Sequence, residues 1–217
     1  CSAERQFRFP LEYGGQRTPT AQWTVTGSGA IVVGSNGQNP KISSVTIGKI
    51  TDLGIKDANN MGAAMAPAAA STLEDFFCDT STKPDDYDLI LTGDLSNVGS
   101  KVLYDLFKSD GIELNNYQDA GNKLMKELLE RDGIHIKNNH KDCGLLIYDQ
   151  KAQDVHAGGS GCGCSATVLC SIILNKLKNN ELKNILFMAT GALMSPTSTQ
   201  QGESIPSIAH LINIKSS

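Results

Sequence analysis

Apolar positions along this chain recur with two different periods, and the alternation between them outlines an architecture. Short β-rich or continuous apolar runs at 42–52, 87–91, 145–148, 185–189 and 208–214 predict strands. Between them, 61–78, 97–108 and 165–177 predict helices, the second from apolar residues repeating at helical spacing through Val98, Val102, Leu103, Leu106 and Phe107 and the third as a long apolar run opened by a glycine-rich stretch. Asn59-Asn60 offers a cap for the first helix, which is rich in Ala and Met and closes on Leu73, Phe76 and Phe77; Pro67 is expected to interrupt it. A short amphipathic helix is predicted at 121–131. Residues 134–141 are polar and read as a surface excursion in which His135 and His140 are solvated. Upstream, 22–26 is the first periodic element, and Gly27-Ser28-Gly29 followed by the β-rich run 30–33 suggests a sheet already under way. From Ile42 the order is β-α-β-α-(insert)-β-α-β-β, which predicts an α/β layered fold around a mostly parallel sheet with sites at helix N-termini. Residues 1–20 show no period and no initiator Met, yet carry Phe7, Phe9, Leu11 and Tyr13, whose side chains call for a partner surface. The chain reads as cut rather than begun there.

Composition narrows the function classes. With 40% hydrophobic and 19% charged residues the chain is neither disordered nor supercharged. Its net charge of −4, with no basic stripe, gives no footing for nucleic acid. The longest uncharged apolar stretch, around 166–174, is too short to span a bilayer. Six cysteines are too sparse for a disulfide scaffold, which favours a reducing compartment.

The densest chemistry lies in Gly158-Gly159-Ser160-Gly161-Cys162-Gly163-Cys164-Ser165. Glycines let backbone approach a ligand, and the helix that follows offers unpaired N–H groups and a positive dipole end, a natural seat for an anion. The competing reading is that small residues are needed where this helix crosses another at close range. The spacing matches neither a P-loop nor the dinucleotide fingerprint. Cys162 and Cys164, one residue apart, are poor zinc geometry, so no metal and no cofactor are expected; either thiol at the helix start could have a lowered pKa and serve as a nucleophile. His156, just before the loop, is a weaker catalytic candidate than a polar edge residue, and His210 reads as a satisfied structural histidine. Asp94 follows a strand and a glycine, where α/β folds place ligand-facing groups, but it could equally cap the next helix. The polar loop Ser195-Pro196 through Ser204 could close over a ligand or be an ordered turn. Arg5, Arg8 and Arg17 are more simply solvated than gathered on a carboxylate.

On longer motifs the chain resembles a known family. These are Pro19-Thr20-Ala21-Gln22-Trp23-Thr24, Asn60-Met61-Gly62-Ala63-Ala64-Met65, Thr92-Gly93-Asp94-Leu95, Asp142-Cys143-Gly144-Leu145, Gly161-Cys162-Gly163-Cys164-Ser165 and Ala189-Thr190-Gly191-Ala192-Leu193-Met194. Together they are similar to the stage V sporulation protein AD family of spore-forming bacteria, which is thiolase-like. The resemblance implies a thiolase-like α/β fold, a layered mixed sheet with helices on both faces, built from two βαβαβαββ halves. Residues 1–40 would end the N-terminal half and 41–217 would form the C-terminal half, with an insertion around 115–141 and the rest of the N-terminal portion absent. Condensing enzymes of that fold carry a nucleophilic Cys on the N-half central helix, a His after the second C-half strand and a His or Asn before the C-half central helix. Here the last two positions fall near Gly93 or Asp94 and near Ser160, and neither side chain replaces an imidazole. The nucleophile segment is not in this chain.

The resemblance therefore implies a non-catalytic subunit that binds dipicolinic acid (pyridine-2,6-dicarboxylate) for uptake into and release from spores. It would act with other proteins of the same channel system, peripheral to the spore inner membrane on the interior side, with a homodimer open. The residues expected to border the ligand are Asn60, Met61, Asp94, Gly159, Ser160, Gly161, Cys162, Gly163, Cys164 and Ser165. An acyl-transferring condensing enzyme and an assembly scaffold with an empty pocket are the alternatives.

Overall fold

The structure, a computed structural model, describes residues 18–36, 39–109, 139–153 and 155–216. The helix expected at 121–131, His135, the three N-terminal arginines and most of the 115–141 insertion lie outside these residues.

Five strands form one mixed sheet. They are β2 (Lys41–Thr46), β3 (Leu89–Thr92), β4 (His140–Asp142), β6 (Asn184–Ala192) and β7 (Ser207–Lys215), in the spatial order β2-β7-β6-β3-β4. β6 with β3 and β3 with β4 run parallel, whereas β7 is antiparallel to both β6 and β2. The sheet is thus evenly mixed rather than mostly parallel, because the direct β6–β7 connection turns the chain back on itself without a crossover helix. A two-stranded parallel ladder, β1 (Trp23–Thr24) with β5 (Gly159–Ser160), stitches the upstream segment to the glycine loop.

Helices cover both faces. α1 (Met61–Thr80) and α2 (Ser96–Ser109) pack on one face, where Ile90, Leu186, Met188, Ala209 and Leu211 meet Met65, Ala69, Leu73, Phe76, Leu103 and Phe107. The other face, carrying Leu89, Leu91, Ile185 and Ile214, is covered by α4, in which an α-helical turn Cys164–Val168, a π-helical stretch Leu169–Ile173 and a last turn Leu174–Lys178 follow one another directly. The strict in–out alternation along β3 and β6 is what lets each strand serve two cores. Two short helical turns, α3 (Cys143–Leu146) and α5 (Pro196–Gln200), complete the fold.

Several local expectations are corrected. α1 runs through Pro67 without a break; the six helical residues before the ring are enough to carry it, and the helix forgoes the one bond that a residue 67 N–H would make to the Ala63 carbonyl. The run 145–148 is not a strand: the third parallel strand lies earlier, at His140–Asp142, overlapping the end of the stretch taken for a polar excursion, and Cys143–Leu146 is helical. Residues 30–33 join no sheet and stay exposed. Helix α1 meets α2 at Gly62 and Gly99, where a Cβ on Gly62 would run into Leu95 O and one on Gly99 would stand 2.5 Å from Gly62 O. That contact sets α1's start beside the turn that leaves β3.

Candidate functional site

The parallel strands β3 and β4 end side by side, at Thr92 and Asp142, and the chain leaves β3 through Gly93-Asp94-Leu95 into α2. Asp142 organises this turn. Its Oδ1 accepts from Ser96 N and Gly144 N, each at 2.9 Å, and its Oδ2 accepts from Leu95 N at 2.9 Å and Thr92 Oγ1 at 2.6 Å. A carboxylate from a neighbouring strand thus takes the amides at the starts of both α2 and α3. Ser96, held at a φ of 55°, sends its own hydroxyl to Gly159 O at 2.8 Å and so anchors the glycine loop.

His140 is buried, contrary to the solvated expectation, with Nε2 3.2 Å from Thr92 Oγ1. Burial pushes its imidazole down to about 4 and pushes Asp142 up to about 7, the charge of Asp94 adding to the latter. The threonine hydroxyl has one proton to give. When Asp142 is ionised that proton goes to Asp142, and His140 then donates through Nε2–H.

Asp94 does not cap α2, since Asp142 holds that place. Its carboxyl bridges outward instead: Thr190 Oγ1 of β6 donates to Oδ1 at 2.8 Å and Gly161 N donates to Oδ2 at 3.1 Å, while Gln22 Nε2 donates to the Asp94 carbonyl at 2.6 Å. Burial raises its pKa above the ordinary carboxylate range, and the bonds from Thr190 and Gly161 counter that in part.

The glycine stretch is packed closely into the fold on both sides. Gly159 and Ser160 pair with Trp23 and Thr24, and Gly163 lies so close against Gly27 O that no Cβ fits. The small residue is thus needed for a close approach, but to the irregular chain after β1 rather than to a second helix as expected. Gly161, at φ 104°, turns its N–H to Asp94, which serves as an internal anion. Cys162 is exposed and Ser165 partly so at the start of α4. Cys164 is buried with Sγ toward Gly93 O, and burial raises its thiol pKa, as it does for buried Cys143, so the activated-nucleophile reading of Cys164 does not hold. Asn60 caps α1 by accepting from Ala63 N at 3.3 Å, and Met61 packs partly buried against the α1–α2 core. Gly62, next to Met61, abuts Leu95, next to Asp94. The Asn60–Met61 segment and the glycine loop therefore flank the same turn. His156 forms an isolated bridge with Gln22, and His210 accepts from Gly48 N at 3.2 Å through Nδ1, the structural role expected of it. No group of acidic, His and Cys residues able to hold a metal ion occurs among the described residues.

Comparison with known proteins gives this geometry a family. The family model described as stage V sporulation protein AD (SpoVAD) matches residues 1–125 and 118–215, and the overlap of the two stretches falls within 115–141. The chain is 49% identical over 210 residues to the stage V sporulation protein AD of Bacillus subtilis (strain 168), covering 97% of this chain and 55% of that protein. The chain belongs to the stage V sporulation protein AD family. It is a sporulation protein by membership, and it spans about half the length of the curated relative it matches. Seen within the SpoVAD family, the turn 92–96 and the end of β4 beside it hold residues to which sequence reasoning gave no part in the site: Thr92, Ser96, His140 and Asp142. A usable signal was present, for Asp142-Cys143-Gly144 repeats the acid-and-small-residue character of Gly93-Asp94 at a neighbouring strand end.

Proposed function

We propose that this chain contributes a dipicolinic acid binding site to a non-catalytic, thiolase-like sporulation protein. The protein would work with other proteins of a spore channel system at the inner membrane, on the spore interior side. Family membership supports the sporulation setting, and a five-stranded mixed sheet with helices on both faces is in keeping with one thiolase-like half.

The observation that carries the ligand reading is the place of the glycine loop. Helices α1 and α2 lie on one face of the sheet and α4 on the other, so the crossovers change sides between β3 and β6. α/β folds open a crevice at such a switch point, beyond the carboxyl ends of the parallel strands. Asp94 and Thr190 bridge this point, and residues 161–165 lie at its rim. A flat aromatic dianion needs N–H donors for its carboxylates and close, unobstructed backbone for its ring. The start of α4 offers the donors and its small residues the approach. The raised pKa of Asp94 favours a neutral carboxyl beside the dianion.

Gly163 is a poor position to test, because any side chain there strikes Gly27 whether or not a ligand binds. Cys162→Asp is better: the residue is exposed, and a negative charge at a helix start favours the helix while repelling an anion. Titration calorimetry with dipicolinate should show binding to the parent chain and a loss of at least about tenfold in Cys162→Asp, equivalent to about 1.4 kcal/mol. Unchanged affinity in the variant would remove the loop from the site, and no binding by the parent would remove the ligand.

A further inference from the structure

The segment that leads into the glycine loop is held along both of its edges. On one edge β1 donates to alternate carbonyls, Trp23 N to Gly158 O and Val25 N to Ser160 O, each at 2.8 Å. The carbonyls between them turn the other way, where no described strand pairs with β5. There the start of α2 takes over: Asn97 N donates to Ala157 O at 2.9 Å and Ser96 Oγ donates to Gly159 O at 2.8 Å. Ser96 does this from an unusual backbone. It is fully buried with φ at 55°, a region that penalises a Cβ and that Gly, and to a lesser degree Asn and Asp, enter readily. A glycine here would be unstrained but would leave Gly159 O without its donor. An asparagine would not fit, because a Cβ on Gly158 would already stand 2.9 Å from Ser96 Oγ and one on Gly144 would strike the same hydroxyl, so the space around it holds nothing longer. Strained buried residues of this kind persist where the surroundings over-determine them, and they gather at ligand clamps.

We infer that Ser96 is a positioning residue for the glycine loop: its hydroxyl, delivered from a strained backbone, fixes the second edge of β5 and with it the direction in which residues 161–165 leave for the start of α4. The chain gives up stability at residue 96 in return for a placed loop. Asp142 accepts from the Ser96 amide at 2.9 Å, so the amide and the hydroxyl of one residue join the end of β4 to the loop. A part for Ser96 in binding dipicolinate rests on the reading proposed above; the placement of the loop does not.

The test uses the whole chain and three variants. Ser96→Gly removes the hydroxyl and the strain together, Ser96→Ala removes the hydroxyl and keeps a Cβ at positive φ, and Ser100→Ala is the control, a buried serine one turn further along α2 whose hydroxyl has no partner among the described residues. Without ligand, amide exchange at Trp23 and Val25 should be about tenfold faster in both Ser96 variants, the size of effect expected from leaving a buried acceptor unpaired. Asp88, bonded to Asn184 O at 2.8 Å at the other end of β3, should keep the parent rate. Trp23 is the chain's single tryptophan, so its emission reports the same ladder and should move to the red. Ser96→Gly should melt above Ser96→Ala, because the strain is gone, and yet release the loop as far. With ligand, calorimetry should show dipicolinate bound about tenfold more weakly by Ser96→Gly than by the parent. Parent-like exchange and emission in Ser96→Gly, release of the loop in Ser100→Ala, or exchange at Asp88 rising in step with Trp23 and Val25 would overturn the inference, the last because it marks a general loss of stability. Equal melts of the two Ser96 variants would show that no strain is held at residue 96. If the parent binds dipicolinate, unchanged affinity in Ser96→Gly would remove Ser96 from the site. No binding by the parent would overturn the ligand reading and leave exchange and emission to decide on Ser96.

Discussion

Asp142 and His140 sit on one short strand with opposite proton preferences. Asp142 is raised from 3.8 to about 7, so its contribution to stability is full below about pH 4 and is lost as pH rises through 7. His140 is lowered from 6.5 to about 4, so its contribution is full above 6.5 and is lost as pH falls through 4. Between 4 and 6.5 the two oppose each other, each with a slope of at most about 1.4 kcal/mol per pH unit. The parent chain should therefore show little change from this pair across that window. His140→Gln leaves the Asp142 term unopposed, and urea unfolding at a series of pH values should show stability falling from about pH 4 to about pH 7 relative to the parent. Parallel curves for the two proteins would mean that the carboxyl and the imidazole do not titrate as their burial dictates.

At the scale of elements, the α1–α2 contact is the tightest test of how the sequence builds the site. In an isolated helix Gly99→Ala would gain about 1 kcal/mol from propensity. Here the new methyl would meet the backbone of Gly62, 2.5 Å from its oxygen and 2.8 Å from its Cα, and two backbones cannot yield as a side-chain tip does. A net loss of about 1–3 kcal/mol is expected from overpacking, read as a lower melting temperature. Gly191→Ala, with nothing within 4 Å, is the control and should be near neutral. The helices themselves were plain in the sequence, because 97–108 repeats apolar residues at helical spacing and 165–177 is an apolar run too long for an ordinary strand, and they emerge as Ser96–Ser109 and as α4. β4 was not legible. His140-Lys141-Asp142 is polar by composition, and it becomes a strand because β3 offers a ladder and because Thr92 and the amides at 95, 96 and 144 satisfy its buried side chains.

At the scale of the whole molecule, several large apolar side chains among the described residues are exposed. On the α4 side of the sheet, β3 and β6 are covered, but Ile42 and Val45 of the edge strand β2, which pair with Ile214 and Ile212, are 45% and 58% exposed. Ile172 of α4 and the run Ile31-Val32-Val33 add to the exposed apolar area, Val32 fully so. Gly29 packs against Ala166 and Cys170, which lays this run along α4. Apolar area of this kind promotes association. Light scattering should show the chain's apparent mass rising with concentration, and Val32→Asp combined with Val45→Lys should reduce the rise while leaving the melt intact, since neither side chain is in the core. A concentration-independent monomer would show that the exposed residues do not act together. No described helix is long and apolar enough to cross a membrane.

The sequence by itself determined the alternation of strands and helices, the glycine-rich start of α4 and the family, because periodicity, backbone permissiveness and long motifs are properties of consecutive residues. It also brought Asp94 into view as a strand-end acid. Only the tertiary structure decided what that acid does. Asp94 and Gly161 are 67 positions apart, and Asp94 and Thr190 are 96 apart, so whether Asp94 caps its own helix or binds the glycine loop depends on which strands lie side by side. The same holds for Asp142, whose four donors come from β3, the β3–α2 turn and α3. Local pattern fixes where a chain turns and which face is apolar. Which distant amide a buried carboxylate receives is set by sheet order, and sheet order follows from the packing of α1, α2 and α4 on the two faces.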